Sequence, residues 1–439
     1  MHDNSKDLHR LLTTLLLAAS LIGSAAVLAK SKEAEKHPPQ HWSATWATAS
    51  KVPVAGFDPA PPVINNATLR QVVRISEGGE TIRVRLTNEL GHTPLNIGEA
   101  HVAIREAGSA IDATSNQALT CGGQSEIAIA AGARVVSDPV WMAIPDLTDL
   151  SISIYLPDDV SGSGSPLTQH VRALQGNYIA LGNQSGATDF GVRDTTTAWH
   201  FLSAVDVANR RPIPVIAVLG DSITDGDQLA APNEPVDLNE RYSNFLSQAI
   251  ISEQRAAGVI NLGISGNQVT NTFLGEKPGA RFSRDILAQT GVTHVIFIAG
   301  INDIGLPVLL SAIGIPTPEV SAAQIIAGHQ HVVARVKPAG LVAVGGTLSP
   351  AGSSSSPGYS GGIAEGKRQA VNEWIRSGGA YDIVVDFDEA LRDPVDPTIM
   401  RAGLTADGLH PNAKGYRIMA DVTLEAMRQE LFEKKPRVN

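Results

Sequence analysis

Cysteine is almost absent from this sequence, and aromatic residues are few. Cys121 is the single cysteine among 439 residues, so an intrachain disulfide is impossible and no cysteine framework for zinc exists. Beside Gly122 and Gly123, Cys121 is more typical of a small turn residue than of a reactive thiol. Aromatic residues make up 5% of the chain, and none form a row of stacking platforms for a long glycan.

Positive charge is also in deficit. The chain carries 34 basic against 44 acidic residues, a formal net charge of -10, and no basic run is interleaved with aromatic residues. This composition excludes a nucleic acid partner, because phosphate backbones are bound through clustered Lys and Arg. With 43% apolar and 18% charged residues, the chain has the balance of a globular protein, and its length suits two domains.

Long hydrophobic runs are missing except at the N-terminus. Arg10 precedes an apolar run from Leu11 to Ala29 that ends in small residues, which predicts a signal peptide over residues 1–29 and a polar linker over residues 30–41. We therefore expect a secreted or periplasmic protein with no stable membrane insertion after cleavage. A retained membrane anchor is the alternative interpretation, since the run could nearly span a bilayer.

Residues 42–207 show strand patterns but no helical period. The segments "TLRQVVRIS" and "ETIRVRLTNELG" alternate apolar and polar residues, and the Gly78-Gly79 pair between them predicts a β-hairpin. The segments "AHVAIRE", "ARVVSDPVWM" and "DLSISIYLP" continue the alternation, while "SGSGSP" at 161–166 is a loop within the same domain. Many short strands separated by turn signals predict an all-β sandwich or jelly-roll-like domain over this region.

The pattern changes from Pro214 onward, where apolar strands alternate with amphipathic helices. The predicted strands are "VIAVL", "GVINLG", "THVIFIAG", "LVAVGGTL" and "YDIVVDF", and the predicted helices are "RYSNFLSQAIISEQ", "AAQIIAGHQHVVARV", "EGKRQAVNEWI" and "AKGYRIMADVTLEAMRQELF". This alternation predicts a parallel sheet covered on both faces, a three-layer α/β/α domain over residues 213–433. Ligands of such sheets bind at the carboxyl ends of the strands.

Small and polar residues cluster at those strand ends. "GDS" at 220–222, "GISGN" at 263–267 and "GIND" at 300–303 each follow a predicted strand, and "DGLH" at 407–410 precedes the last helix. Because the carboxyl ends of parallel strands meet at one edge of the sheet, these segments are expected to face a common site.

The residue types at these positions suit acyl transfer. Ser222 could act as a nucleophile if His410 served as its general base and Asp407 fixed the imidazole tautomer. An oxyanion hole could be formed by the N–H of Ser222 at a helix N-terminus, the N–H of Gly263 and the side-chain amide of Asn302. Gly263 has no Cβ, so its backbone can approach a ligand closely.

Each of these residues also has a structural explanation. Ser222 alone fits a helix N-cap, Gly263 a turn glycine, Asn302 a loop cap, and Asp407 with His410 a capped turn. Their order, and the position of each at a strand end or its loop, favours the catalytic interpretation.

Two competing assignments need comparison. The segment "GYSGG" at 358–362 formally matches a nucleophile elbow around Ser360. That motif requires a strand running directly into the serine, and here "SPAGSSSSP" intervenes. Asp386, at the end of "YDIVVDF", is an alternative to Asp407 as the acidic member of a triad.

Further carboxylates lie close to the serine in sequence. Asp221, Asp225 and Asp227 could in principle surround a divalent cation, but their spacing lacks a full ligand loop, so we predict no metal and no cofactor. Instead, Asp221 and Asp225 are expected to hydrogen-bond nearby backbone and hold the serine-bearing turn, and Asp303 to support its own loop in the same way.

The segments "GDSITDG", "NLGISGN", "GIND" and "DGLHPN" resemble, in order and with none missing, the four conserved blocks of the SGNH (GDSL-type) hydrolase superfamily. The resemblance implies a flavodoxin-like parallel sheet, with Ser222 as nucleophile, Gly263 and Asn302 as oxyanion donors, and His410 as base supported by Asp407. The segments "HWSATWATAS" and "TLRQVVRISEGGETIRVRLTNELG" are similar to the β-rich domain of a secreted, xylan-esterase-like subfamily.

The expected function is therefore hydrolysis of carboxylic esters through an acyl-enzyme, with short acyl groups such as acetyl on a small-molecule or carbohydrate substrate. The alternatives are a lysophospholipase or aryl-ester hydrolase, and, in a different class, a non-catalytic carbohydrate-binding protein on the same scaffold. No long apolar lid is recognisable, and the presence of Ser222, His410 and Asn302 favours an enzyme. The sequence leaves the oligomeric state open.

Overall fold

The computed structural model describes residues 41–228 and 236–433. The predicted signal peptide and the linker up to residue 40 lie outside the described residues, and the first strand begins at His41. Within the described ranges, no helix has the length and apolar character needed to cross a membrane.

The N-terminal domain is built from fifteen strands. Their bounds are β1 (His41–Ala47), β2 (Asn65–Arg74), β3 (Gly79–Thr87), β4 (Leu95–Ile97), β5 (Glu99–Ile104), β6 (Gln117–Leu119), β7 (Ile127–Ile129), β8 (Arg134–Val136), β9 (Val140–Ile144), β10 (Asp149–Asp159), β11 (Gln169–His170), β12 (Asn177–Leu181), β13 (Val192–Thr196), β14 (Trp199–His200) and β15 (Leu202–Asn209). A single 3₁₀ turn at Ala113–Ser115 interrupts them.

Two antiparallel sheets form a sandwich. One has the order β1-β15-β3-β8, with β9 also paired to β3, and the other has the order β13-β12-β2-β10-β5-β6. Side chains from both sheets share one hydrophobic core, in which Val84 of the first and Ile152 of the second are completely buried. The predicted all-β sandwich is confirmed.

The predicted hairpin at Gly78-Gly79 is wrong. β2 pairs with β10 and β12 in one sheet, whereas β3 pairs with β15, β8 and β9 in the other, so the connection crosses between sheets. Neither glycine has the positive φ that a two-residue hairpin turn requires. Gly78 is needed for close approach instead, because a Cβ there would lie 2.1 Å from the carbonyl oxygen of Ile144.

The C-terminal domain alternates strands and helices as predicted. Its elements are β16 (Val215–Gly220), α1 (Ser222–Asp225), α2 (Tyr242–Ser252), β17 (Gly258–Gly263), α3 (Pro278–Phe282), β18 (Val292–Ile298), α4 (Ile301–Ala312), α5 (Ala322–Val336), β19 (Val342–Gly346), α6 (Gly362–Ser377), β20 (Ile383–Val385), α7 (Phe387–Leu391) and α8 (Ala413–Phe432). All five strands are parallel in the order β17-β16-β18-β19-β20, which confirms the flavodoxin-like sheet.

Helix α4 was not predicted from the sequence. Its segment contains Gly305 and Pro307, residues that lower helix propensity. Gly305 has a packing reason, since a Cβ at this position would lie 2.5 Å from the ring of Tyr359. The helix propensity of the segment is therefore low because of a tertiary contact, which the sequence does not show.

The sandwich packs directly on the α/β domain. The Ala44 N–H of β1 donates to the Thr290 carbonyl at 3.0 Å, and the Val259 N–H of β17 donates to the Ser76 hydroxyl at 2.9 Å. Gly258 makes this approach possible, because a Cβ would lie 2.3 Å from the carbonyl oxygen of Ala44. The two domains are joined through backbone as well as side chains.

Candidate active site

Ser222, His410 and Asp407 form a continuous hydrogen-bonded chain. Ser222 Oγ lies 2.9 Å from His410 Nε2, and His410 Nδ1 lies 2.7 Å from Asp407 Oδ2. The serine follows β16, whereas the other two residues lie on the loop before α8, where His410 is 188 residues further along the chain. The structure thus brings the serine at the end of one strand to the aspartate and histidine of a distant loop.

Asp407 is held ionised by its surroundings. Partial burial raises the pKa of this carboxyl, but the hydrogen bond and charge of His410 together with the backbone N–H groups of His410 and Leu409 outweigh burial and lower the pKa to about 2. An ionised carboxylate can only accept hydrogen bonds, so His410 Nδ1 carries a proton. In the neutral imidazole, Nε2 is then left to accept the hydroxyl proton of Ser222.

Ser222 stands at the first position of α1, two residues after the end of β16. The N-cap is Asp221, whose Oδ1 accepts the Ile223 N–H at 3.1 Å, so the capping role considered for Ser222 belongs to its neighbour. The hydroxyl is thereby left for His410. Gly226 ends the short helix with φ 105°, a conformation that favours glycine.

Asn302 lies in the first turn of α4 and faces the same cleft. Its Oδ1 accepts the Tyr359 hydroxyl at 2.8 Å, and its Nδ2 donates to the Asn267 carbonyl at 3.2 Å. These two contacts fix the amide orientation and leave the second Nδ2 hydrogen available to a ligand. The sequence analysis did not identify Tyr359, although it lies within the "GYSGG" segment considered for Ser360.

The structure does not bring Gly263 to the cleft. Its N–H donates to the Asn261 side chain at 2.9 Å, and a Cβ at this position would lie 2.3 Å from the Asp225 backbone nitrogen. The glycine is therefore needed for packing of β17 against α1. The oxyanion role expected for Gly263 is not supported, because its one donor is already used.

Gly266, three residues later, occupies the expected place instead. It lines the cleft with Ser222, Asn302 and His410, and its φ of 76° lies in the left-handed region. Within the described ranges, neither the Gly266 N–H nor the Ser222 N–H donates to a protein acceptor. The segment "NLGISGN" contains both Gly263 and Gly266, and the sequence alone does not show which of their two N–H groups is free to bind an oxyanion.

The supporting aspartates make contacts that differ partly from expectation. Asp225 accepts the Ser265 N–H at 3.2 Å and contacts the ring of His170, which belongs to the sandwich. Asp303 also binds a neighbouring loop: its carboxylate accepts the N–H groups of Val269 at 2.8 Å and Thr270 at 2.9 Å. These carboxylates hold neighbouring loops rather than only the turns that carry them.

Asp221 has an unusual environment for a carboxyl group. Complete burial raises its pKa to about 7, with the nearby carboxylates of Asp303 and Asp227 adding to the shift and the Ile223 N–H and His410 opposing it. In the described part of the chain, no group of three or more His, Cys, Asp and Glu side chains is arranged to hold a metal ion.

Ser360 and Asp386, the alternative candidates for nucleophile and triad acid, have other hydrogen-bond partners. The Ser360 hydroxyl donates to the Ser354 carbonyl at 3.3 Å within the loop before α6. Asp386 accepts two hydrogen bonds from the Arg376 guanidinium, at 2.7 and 2.8 Å, and caps α7. Ser222 is the serine that the structure joins to a histidine and a carboxylate.

Both domains line the cleft, which has a volume of about 230 Å³. One wall is apolar and is formed by Leu274, Leu306, Leu309 and Leu409 of the α/β domain. The opposite rim belongs to the sandwich domain and presents Lys51, Phe57, Asp58 and Arg172. The sequence analysis did not identify any of these four residues, because their proximity to Ser222 depends on how the domains pack.

The comparisons with known proteins concern the C-terminal half. Residues 218–418 match the model of the "GDSL-like Lipase/Acylhydrolase family". No curated protein matches the chain by sequence.

Solved structures that are similar to the chain share little sequence identity with it. A carbohydrate acetylesterase from Sinorhizobium meliloti has 13% identity and a TM-score of 0.37, with 49% of this chain and 99% of that chain covered. An acetylxylan esterase from Geobacillus stearothermophilus has 23% identity and a TM-score of 0.36, with 49% of this chain and 94% of that chain covered. A GDSL-like lipase from Bacteroides thetaiotaomicron has 17% identity and a TM-score of 0.35, with 50% of this chain and 89% of that chain covered.

The family match begins within β16, the strand that leads to Ser222, and includes Ser222, Asp407 and His410. Residues 218–418, a little under half of the chain, accordingly resemble the GDSL-like lipase/acylhydrolase family, and the chain is an enzyme of the carboxylic ester hydrolase class.

Proposed function

We propose that the chain hydrolyses its ester through an acyl-enzyme on Ser222, with His410 as general base and Asp407 as the group that orients it. The main support is a pair of hydrogen-bond contacts beside an open cleft. Ser222 Oγ lies 2.9 Å from His410, and His410 lies 2.7 Å from Asp407. This spacing is that of a nucleophile within hydrogen-bond reach of its base.

The reaction follows from these positions. His410 Nε2 takes the proton of Ser222 as its oxygen attacks the ester carbonyl, and then gives that proton to the departing alcohol. The N–H groups of Ser222 and Gly266 and the amide of Asn302 would stabilise the negative oxygen of the tetrahedral intermediate. Water activated by His410 next attacks the acyl-enzyme and releases the acid.

The shape of the cleft supports a small acyl group on a polar alcohol. A volume of about 230 Å³ is below the range of sites that enclose drug-sized ligands. The leucine wall suits a short hydrocarbon, and the rim, which carries the Lys51–Asp58 ion pair and Arg172, is polar enough to face a hydroxyl-rich substrate. We therefore favour acetyl or similarly short esters of carbohydrate, and the signal-like residues 1–29 support action outside the cytoplasm.

The first test replaces the nucleophile. Ser222→Ala should abolish hydrolysis of p-nitrophenyl acetate while leaving the circular dichroism spectrum and thermal unfolding unchanged, because only one hydroxyl is lost. Ser360→Ala is the matched control and should keep wild-type turnover, since the Ser360 hydroxyl contacts only its own loop. Turnover by the Ser222→Ala protein would contradict the mechanism.

A second substrate class is favoured by the leucine wall together with Phe57, which would also accept the chain of a lysophospholipid or an aryl group. Acetate release from acetylated oligosaccharides should be compared with fatty acid release from lysolipids and with aryl ester cleavage. The Ser222→Ala protein serves as the blank. A higher kcat/KM for lysolipids than for acetylated oligosaccharides would overturn the carbohydrate assignment.

A further inference from the structure

His170 joins the sandwich domain to the serine-bearing helix. It lies on β11, is buried to 3% exposure, and its Nε2 lies 3.0 Å from Asp225 Oδ1, the last residue of α1. The other ring nitrogen lies 2.9 Å from the carbonyl oxygen of Ala49, in the same domain as His170. Nε2 also lies 3.2 Å from the carbonyl oxygen of Arg172, so the sandwich holds the ring at both nitrogens and Asp225 is its contact with the α/β domain.

Asp225 in turn connects two parts of the candidate site. Its backbone belongs to the helix that begins with Ser222, and its Oδ2 accepts the N–H of Ser265, which immediately precedes Gly266. One carboxylate thus spans the turn that carries the nucleophile and the loop that carries the second oxyanion donor. The relative position of the Ser222 and Gly266 N–H groups depends on where this carboxylate is held.

We propose that His170 is a positioning residue for ester hydrolysis, supplied by the sandwich domain, which holds Asp225 so that the Ser222 and Gly266 N–H groups converge on one oxyanion. The inference rests on the proposed function, because it gives that active site a part contributed by the other domain. It adds a role for the sandwich domain that is independent of substrate contact.

The electrostatics of the pair agree with this arrangement. Both His170 nitrogens face oxygen acceptors, and both can donate only if the ring is protonated. Burial lowers the pKa of His170, but the charge of Asp225 and the hydrogen bonds outweigh it, so the net shift is upward. The guanidinium of Arg241 is a nearby cation, which lowers the pKa of His170, and its Nε donates to the Asp225 carbonyl.

Two substitutions separate the contacts of the ring. Glutamine places its amide nitrogen near the position of histidine Nε2, and so His170→Gln can still donate to Asp225. Asparagine reaches only the Nδ1 position, so His170→Asn keeps the contact to Ala49 and loses Asp225. Both remove one buried ring and introduce one amide, and a purely structural role predicts that they behave alike.

His200 provides a matched control outside the site. It lies on β14, the strand paired with β11, and is completely buried. Within the described residues, neither of its ring nitrogens has a hydrogen-bond partner. His200→Asn therefore removes a buried imidazole from the same small sheet without touching Asp225.

The experiment measures kcat and KM on p-nitrophenyl acetate, the rate of Ser222 labelling by a fluorophosphonate, and thermal unfolding. We expect His170→Asn to lower kcat and the labelling rate by about 10- to 100-fold, as displacement of a reacting group by up to about 1 Å can do, with KM changed less than about threefold. His170→Gln should stay within about threefold of wild type. His200→Asn should keep wild-type kcat.

Two results would overturn the proposal: wild-type kcat in His170→Asn, or equal loss of kcat in the asparagine and glutamine variants. Failure of the proposed function gives a different result, since the wild-type protein would then show neither fluorophosphonate labelling nor hydrolysis that depends on Ser222. If His170→Asn does not fold while His170→Gln and His200→Asn do, the labelling rate of His170→Gln decides. A rate reduced more than 10-fold in that variant would overturn the proposal.

Discussion

At the scale of single residues, Asn302 shows how an amide is prepared for catalysis. Tyr359 donates to its oxygen and the Asn267 carbonyl accepts from its nitrogen, so the side chain cannot rotate without losing both contacts. A donor fixed before the substrate arrives needs no reorganisation when charge develops, and such donors contribute strongly to rate.

Asn302→Ala should therefore lower kcat by on the order of 10²–10³ with a much smaller change in KM. The expectation follows from loss of one oxyanion donor that acts mainly in the transition state. Steady-state kinetics on p-nitrophenyl acetate measure it, and an unchanged kcat would remove Asn302 from the oxyanion hole.

Tyr359→Phe tests the orientation of that amide. Without the hydroxyl, Asn302 keeps its donor but can present either end to the cleft, and we expect a loss of kcat of about 10-fold, smaller than in Asn302→Ala. Combining the two substitutions should give no further loss beyond Asn302→Ala, because both act on one donor. Additive losses in the double variant would show that Tyr359 acts independently.

The sequence identified most of the candidate site because strand ends of a parallel sheet converge. Ser222, Asn302, Asp407 and His410 were all placed this way, and the structure brings them together. Gly263 was assigned an oxyanion role because sequence does not show that the Asn261 side chain already accepts the Gly263 N–H. The folded structure, rather than the local sequence, determines which backbone N–H remains free to donate.

At the scale of elements, the connection between β2 and β3 shows a similar limit. Two glycines between alternating strands indicate a hairpin, yet the segment crosses from one sheet to the other and is fixed by β1. Thr45 Oγ1 donates to the Glu77 carbonyl at 2.6 Å and accepts the Glu77 N–H at 2.7 Å. Helix α4 was not predicted for a related reason: packing against Tyr359 requires glycine at position 305, and glycine lowers the helix propensity of the segment.

Glu77 gives this connection a pH dependence. Burial, with the nearby charge of Asp146, raises the pKa of the carboxyl from 4.5 to about 7. The folded state therefore binds the proton more tightly than the unfolded state, and its stability from this group falls as pH rises from 4.5 to 7. Glu77→Gln should unfold at a higher temperature than wild type at pH 8 and at a similar temperature at pH 4.5.

Thermal unfolding of both proteins across this range checks the prediction. The difference between them should grow with pH and level off above 7. A difference of the same size at every pH would mean that the glutamine changes packing rather than charge.

At the scale of the whole molecule, Asp206 connects the two domains. It lies on β15 with no exposed surface, and its Oδ2 accepts Arg83 Nε, Arg85 Nη2 and the Thr290 hydroxyl, each at 2.9 Å. Thr290 belongs to the α/β domain, so this carboxylate serves both sides of the interface. The sequence predicted two domains but could not show that they share such a cluster.

Asp206→Ala should lower the free energy of unfolding by about 3–5 kcal/mol, because the two arginines keep their charge without a buried partner. Denaturant unfolding measures this loss, and partial separation of the domains should appear as a second transition. The exposed Arg210–Glu80 pair is the control: Glu80→Ala should cost less than about 1 kcal/mol. Equal losses in the two variants would contradict the interface role.

The pairing of β1 with β15 has a consequence for how the molecule is made. The sheet that faces the α/β domain is closed by the first and the last strand of the sandwich, so its interface surface is incomplete until residue 209 has left the ribosome. The nucleophile strand β16 begins six residues later, at Val215, and therefore leaves the ribosome just after the surface that receives its domain has become available. The order of synthesis thus allows the catalytic half to fold against a finished sandwich domain, whereas a fragment starting at β16 would have to fold without it.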